Sequence, residues 1–153
     1  MKRTKPLRIR LVKKLDALWS KKIHDKFKNK CVMCGATGIT HAHHSIVTKG
    51  RGGFGVRWLI LNGVLLCPVC HLFKIHHGQA DKMWLDRYVA ILNEITPPAE
   101  QQNICEIAHH ITKFSTAELQ EMVLHFEETI VNFISFAVRS TPPVARRKNN
   151  HAQ

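Results

Sequence analysis

Cys31-Val32-Met33-Cys34 and Cys67-Pro68-Val69-Cys70 are two CxxC pairs in one chain of 153 residues. Each CxxC turn aims two thiolates at one point, and two such turns complete the tetrahedron that zinc takes in closed structural sites. Where thiols stay reduced, paired cysteines mean metal rather than disulfide. The spacing therefore predicts a structural Zn2+ held by Cys31, Cys34, Cys67 and Cys70, with residues 35–66 carried between the two knuckles. A redox role fits less well, because a thioredoxin-like motif has no use for a second pair. Cys105 stands alone on an expected helix and reads as an inert buried thiol.

Charge divides the chain unevenly. Residues 1–30 hold 12 Lys/Arg against Asp16 and Asp25, and residues 31–80 add Lys49, Arg51, Arg57 and Lys74 with no acidic residue. Residues 81–140 are net acidic, with 9 acidic and 4 basic side chains, and Arg146, Arg147 and Lys148 make the end basic again. The overall charge is +12. A polyanion is the natural partner of so cationic a first half, with counterion release supplying much of the affinity. No run of about 18 apolar residues is present, so no membrane span is expected. The basic start is not followed by an apolar segment and cleavage site, so a cytoplasmic location is expected.

The apolar spacing predicts an α+β chain in four parts. Residues 1–30 form a basic helix over 7–28, with Leu11, Leu15, Leu18, Trp19, Ile23 and Phe27 on one face. Residues 31–80 carry short β-like runs, a Gly-rich turn at Gly50-Arg51-Gly52-Gly53, and the clustered Cys and His. Residues 81–140 are helical. Met83, Trp84, Tyr88, Ile91 and Leu92 mark one face over 80–96, Pro97-Pro98 breaks it, and a further helix runs over 99–112. The last begins at a capping box, Ser115 with Glu118, and extends to about 138. Residues 141–153 read as a disordered basic tail. The end of the 115–139 helix, with Ile130, Val131, Phe133, Ile134 and Phe136, is apolar over more than one face. Either two neighbours in the chain cover it or a second subunit does, and we expect a homodimer through it.

Between the knuckles lies a strand-like stretch, Ile39 to Val47, containing His41, His43 and His44. After the Gly-rich loop, Val56 to Leu61 reads as a second strand, followed by Asn62, and then by a short helix from Pro68 that carries His71, Lys74, His76 and His77. Trp58 reads as core packed on the first helix rather than as a base-stacking platform. His24, His109, His110, His125 and His151 read as ordinary surface or core residues.

Adjacent His43-His44 before a branched apolar pair, a Gly-Gly loop, Asn62, then Leu65-Leu66-Cys67-x-x-Cys70-His71 resembles the HNH endonuclease motif in its zinc-stapled form. That family has a ββα-metal fold. Val56-Arg57-Trp58 leading to Asn62, with the helices that follow, also resembles phage recombination nucleases of the NinG (Rap) type. The resemblance implies a metal-dependent endonuclease that hydrolyses DNA phosphodiesters. In it His44 is the general base, His43 and His71 hold one catalytic divalent metal (Mg2+, Mn2+, Ni2+ or Zn2+), and Asn62 fixes the loop that orients His44. Neutral imidazoles suit both tasks near pH 7. Lys49, Arg51, Arg57 and Lys74 are the expected DNA contacts.

The chain departs from many relatives four residues after His71, where a second helix histidine is usual and Ile75 stands instead. In an α-helix His76 is turned about 140° from His71. The metal then has two protein ligands plus water, unless the helix distorts to bring in His76, and His41 is a further candidate on the strand face of His43. The rival reading is a zinc-dependent DNA-binding protein without catalysis.

Overall fold

The computed structural model describes residues 6–50, 53–110 and 113–128. Helix α1 spans Leu7–Lys26, strand β1 His41–His44, helix α2 Gly53–Arg57 and a 3₁₀ turn Ile60–Asn62. Strand β2 follows at Gly63–Leu66, then a π-helix at Val69–His76, α3 at Lys82–Ile95, α4 at Pro98–His109 and α5 at Thr116–Glu128. The fold is mixed and mostly helical, around one small antiparallel sheet. The apolar end of the expected last helix, residues 129–139, and the tail 141–153 lie outside the described residues, and so does the surface expected to bind a second subunit.

β1 pairs with β2 so that His41 faces Leu66, Ala42 faces Leu65, His43 faces Val64 and His44 faces Gly63. Alternate residues of a strand point to opposite faces, and paired residues share one. Val64 and Leu66 are fully buried in a cluster with Cys31, Met33, Cys67, Cys70, Tyr88 and Leu92. Leu65 is buried on the other side, among Leu11, Leu15, Trp19 and Ile23 of α1, Trp58, and Leu119, Met122, Val123 and Phe126 of α5. The sheet is therefore a wall between two cores. It sends His41 and His43 toward the knuckle side and His44 toward α1.

Gly63 is what lets α1 lie so close. A Cβ there would sit 2.5 Å from Ile23 Cδ1 and 2.7 Å from Trp19 Cζ2, so a side chain would force Ile23 and Trp19 to shift. The helix ends follow local chemistry. Ser115 Oγ accepts from the Glu118 amide at 3.2 Å while the Ser115 amide donates to Glu118 Oε2 at 2.6 Å, the reciprocal capping box. Asp81 caps α3 by accepting from the Trp84 amide at 2.8 Å.

Four expectations are corrected. The second strand is not Val56 to Leu61 but Gly63–Leu66. Val56, Trp58 and Leu59 are buried, but as part of α2 and the turn after it, against Ile104 of α4 and against α1. The apolar run reflected burial rather than strand geometry. Trp58 does pack on α1, although from a turn. Cys105 is exposed, not buried, since Ile104 beside it takes the inward position on α4. Met83 is 79% exposed and plays no part in the inner face of α3, where Tyr88 and Leu92 are buried. The strand from Ile39 to Val47 is shorter than expected, because Ser45, Ile46 and Val47 turn to meet Asn62.

Candidate functional site

The four knuckle cysteines converge, with their sulfurs all within 4.8 Å of one another. Cys34 Sγ and Cys67 Sγ are 3.7 Å apart. A disulfide needs about 2.05 Å. The edge of a ZnS₄ tetrahedron with Zn–S near 2.3 Å is roughly 3.8 Å. The donor chemistry agrees. Burial pushes the Cys34 and Cys70 thiols up. At Cys31 burial acts in the same sense, but amides of Cys67, Cys34 and Met33 outweigh it and bring the thiol down to about 7. Four thiolates can share this space only with a cation among them. The cluster fits a structural zinc.

On the same face of the sheet, His43, His71 and His76 each offer a ring nitrogen, and these three lie within 4.8 Å of one another. His71 Nε2 and His76 Nε2 are 3.0 Å apart. Five residues of an α-helix would separate their directions, but this segment is π-helical, and the His77 amide donates to the Leu72 carbonyl five residues back at 2.8 Å. In i→i+5 geometry, residues five apart are turned much less from one another than in an α-helix. The distortion that brings in His76 is thus present. His41 stands outside this trio, with its Nδ1 3.1 Å from His71 Nδ1.

Protonation follows from the geometry. Burial holds His43 down to about 3, helped by neighbouring His71, His76 and His44. His71 is held down to about 4 by burial, then by His76 and His41. Both rings are neutral at pH 7. Bare lone pairs 3.0 Å apart repel, so either a proton or a cation lies between His71 and His76. The contact of His71 with His41 likewise needs a proton on one of the two nitrogens. If His71 keeps its Nε2 lone pair for the trio, its Nδ1–H donates to His41, which thereby fixes the tautomer.

His44 occupies the opposite face. Its ring stacks on Trp19 at a centroid distance of 4.2 Å and an interplanar angle of 14°. Its Nε2 lies 2.8 Å from the Arg57 carbonyl. A carbonyl only accepts, so Nε2 carries the proton. Burial lowers the pKa of His44 and keeps the ring neutral, so Nδ1 holds the lone pair.

No known protein family, curated protein or solved structure matches the chain. What the residues can do is therefore read from their positions. Asn62 is fully buried. Its Oδ1 accepts from the Ile46 and Val47 amides at 3.0 Å each, and its Nδ2 donates to the Val47 and Val56 carbonyls at 2.8 and 3.3 Å. One amide side chain thus ties the segment after β1 to α2.

The basic residues are less free than the sequence suggested. Arg57 donates from Nε and Nη2 to Asp16 at 2.8 and 2.7 Å, and its side chain is only 17% exposed. Lys49 meets the same carboxylate at 3.0 Å but is half exposed. Lys74 Nζ donates to the Gln79 carbonyl at 3.1 Å. Arg51 lies outside the described residues. Arg57 is thus turned toward Asp16 and largely buried.

Asp16 and Trp19 are the site residues that sequence reasoning missed. In the sequence Trp19 belongs to the apolar face of the first helix and Asp16 counts only as a charge. The available signal was that Asp16 and Asp25 are the only acids before residue 81. Burial opposes ionisation of Asp16, but hydrogen bonds from Arg57, Lys49 and Trp58 prevail and lower it to about 2. A folded-state value below the ordinary 3.8 means the contribution is complete above about pH 4 and lost as pH falls toward 2. With the carboxylate 30% exposed, that contribution is at most about 2 kcal/mol. Asp16→Asn is therefore expected to melt earlier than the unaltered chain at pH 6, where thiolates can still hold the zinc. Equal melting temperatures at that pH refute the assignment.

Proposed function

We propose that this chain is a metal-dependent endonuclease of the HNH type that hydrolyses DNA phosphodiester bonds. The observation that carries the reading is the division of labour along β1. His43 joins His71 and His76 on one side, while the adjacent His44 is neutral, protonated at Nε2 and unprotonated at Nδ1. The reading is supported by the order of two strands and then a helix, with histidines on the first strand and the helix, which is the order the resemblance implies.

In this reading His44 Nδ1 takes a proton from the attacking water, and the Nε2–H bond to the Arg57 carbonyl steadies the imidazolium that forms. His43, His71 and His76 would hold a divalent cation, Mg2+, Mn2+, Ni2+ or Zn2+. When bound, it neutralises charge developing on the phosphate and the leaving oxygen. Lys49, Lys74 and the basic α1 would hold the DNA backbone by charge. A branched recombination intermediate is the substrate suggested by the NinG-like part of the sequence, and a dimer would bring two sites to it.

The deciding experiment is nicking of supercoiled plasmid with each of these cations against EDTA. Salt-sensitive DNA binding without cation-dependent turnover would leave the non-catalytic zinc protein as the better reading. We further expect His43→Ala, His71→Ala and His76→Ala to need more cation for half-maximal cleavage and to recover partly at high concentration, unlike His44→Ala. Superimposable cation titrations for all four would refute this division of roles.

A further inference from the structure

We propose that α1 is part of the site: Asp16 and Trp19 are positioning residues that set the His44 imidazole. The catalytic meaning of this rests on the endonuclease reading, but the positioning itself does not.

His44 is held at two points, its ring plane by Trp19 and its Nε2–H by the Arg57 carbonyl. Neither holder belongs to the sheet. Arg57 ends a five-residue helix, too short to fix its own carbonyl. Asp16 supplies the anchor. Its carboxylate receives the Arg57 guanidinium as a fork, and at 2.9 Å the indole N–H of Trp58, so two successive residues are pinned on one group. Asp16 also takes Lys49, from the segment after β1, and so closes the loop from the other end. Asp16 and Trp19 are three apart on α1 and therefore neighbours on one helix face. Trp19 is itself oriented by its indole N–H, which donates to the Leu59 carbonyl at 3.1 Å. Asp25, the other acid of this half, pairs locally with Lys21 and does none of this. The Asp16 carboxylate thus locks the backbone that fixes the tautomer of His44. A basic helix that served only to attract DNA would need neither contact.

The test uses the full chain with its zinc, and variants Asp16→Asn and Arg57→Gln, each checked for cooperative melting above the assay temperature. Nitrogen-15 spectra of the histidine rings read the tautomer of His44 directly. The unaltered chain should show Nε2–H with an unprotonated Nδ1, and both variants should shift toward the other tautomer. For cleavage we expect kcat to fall about 10-fold or more, as for a misplaced catalytic group. DNA affinity should not weaken in Asp16→Asn, which leaves every cation in place, so the loss appears in kcat. The double variant should be no worse than the worse single one, because both act through one link. Trp19→Phe, which keeps a stacked ring, should retain more activity than Trp19→Leu.

Unchanged His44 ring nitrogens in folded Asp16→Asn overturn the proposal. So does tighter DNA binding with undiminished kcat, the result expected if Asp16 merely masks two phosphate-binding cations. If the unaltered chain does not cut DNA, the endonuclease reading falls, and the ring spectra alone decide whether α1 positions His44.

Discussion

His44→Ala is expected to lower DNA cleavage by about 100-fold or more, while DNA affinity and metal content stay close to those of the unaltered chain. The reason lies in what each nitrogen does. Nε2–H is committed to the Arg57 carbonyl, and Nδ1 has no hydrogen-bond partner among the described residues. A ring so fixed contributes when a proton moves, and such a contribution appears in turnover rather than in ground-state binding. Burial lowers the pKa of His44, so the neutral, proton-accepting form should extend below the usual histidine range, and cleavage should persist on the acidic side of pH 6.5. Steady-state cleavage with DNA binding and metal content measured in parallel checks this. Wild-type turnover in the variant would remove His44 from the role of base.

Cys31→Ser or Cys67→Ser is expected to cost the chain its fold. Metal analysis of the unaltered protein should find about one tightly bound zinc per chain, and either substitution should abolish it together with cooperative melting. Cys31, Cys67 and Cys70 are not at the periphery. They are buried in the cluster that contains Val64 and Leu66, the knuckle-side face of the sheet. Met33, Val64, Leu66, Tyr88 and Leu92 pack directly on these cysteines, and structural zinc in such sites contributes about 10–16 kcal/mol. Its loss would release β2 and the π-helix together, and with them His43, His71 and His76. A zinc-free cysteine variant that melts like the unaltered chain would show that the cluster has no structural role.

Much of this molecule could be read without coordinates, and the legible parts share a physical cause. The cysteine frame is legible because two CxxC turns and a tetrahedral cation specify each other. The face of α1 is legible because Leu11, Leu15, Trp19 and Ile23 recur at helical spacing, and all four are buried. The Ser115–Glu118 cap is legible because it is closed by neighbours in the chain. The approach of His43 to His71 is implied only by the resemblance to the HNH motif, since His43 lies on β1 and His71 on the helix after β2.

The rest depended on contacts between distant segments. Strand pairing begins at Gly63 rather than Val56, and Val56 and Leu59 are buried against α4 instead. His76 joined His43 and His71 because the helix took i→i+5 bonds, which no local pattern announced. Arg57 turned inward because a carboxylate 41 residues earlier in the chain lay within reach of its guanidinium. Sequence alone determined which chemical groups this protein has and which of them are neighbours in the chain. The tertiary structure decided which nitrogen of His44 keeps its lone pair, because that rests on a carbonyl and an indole brought in from two other segments.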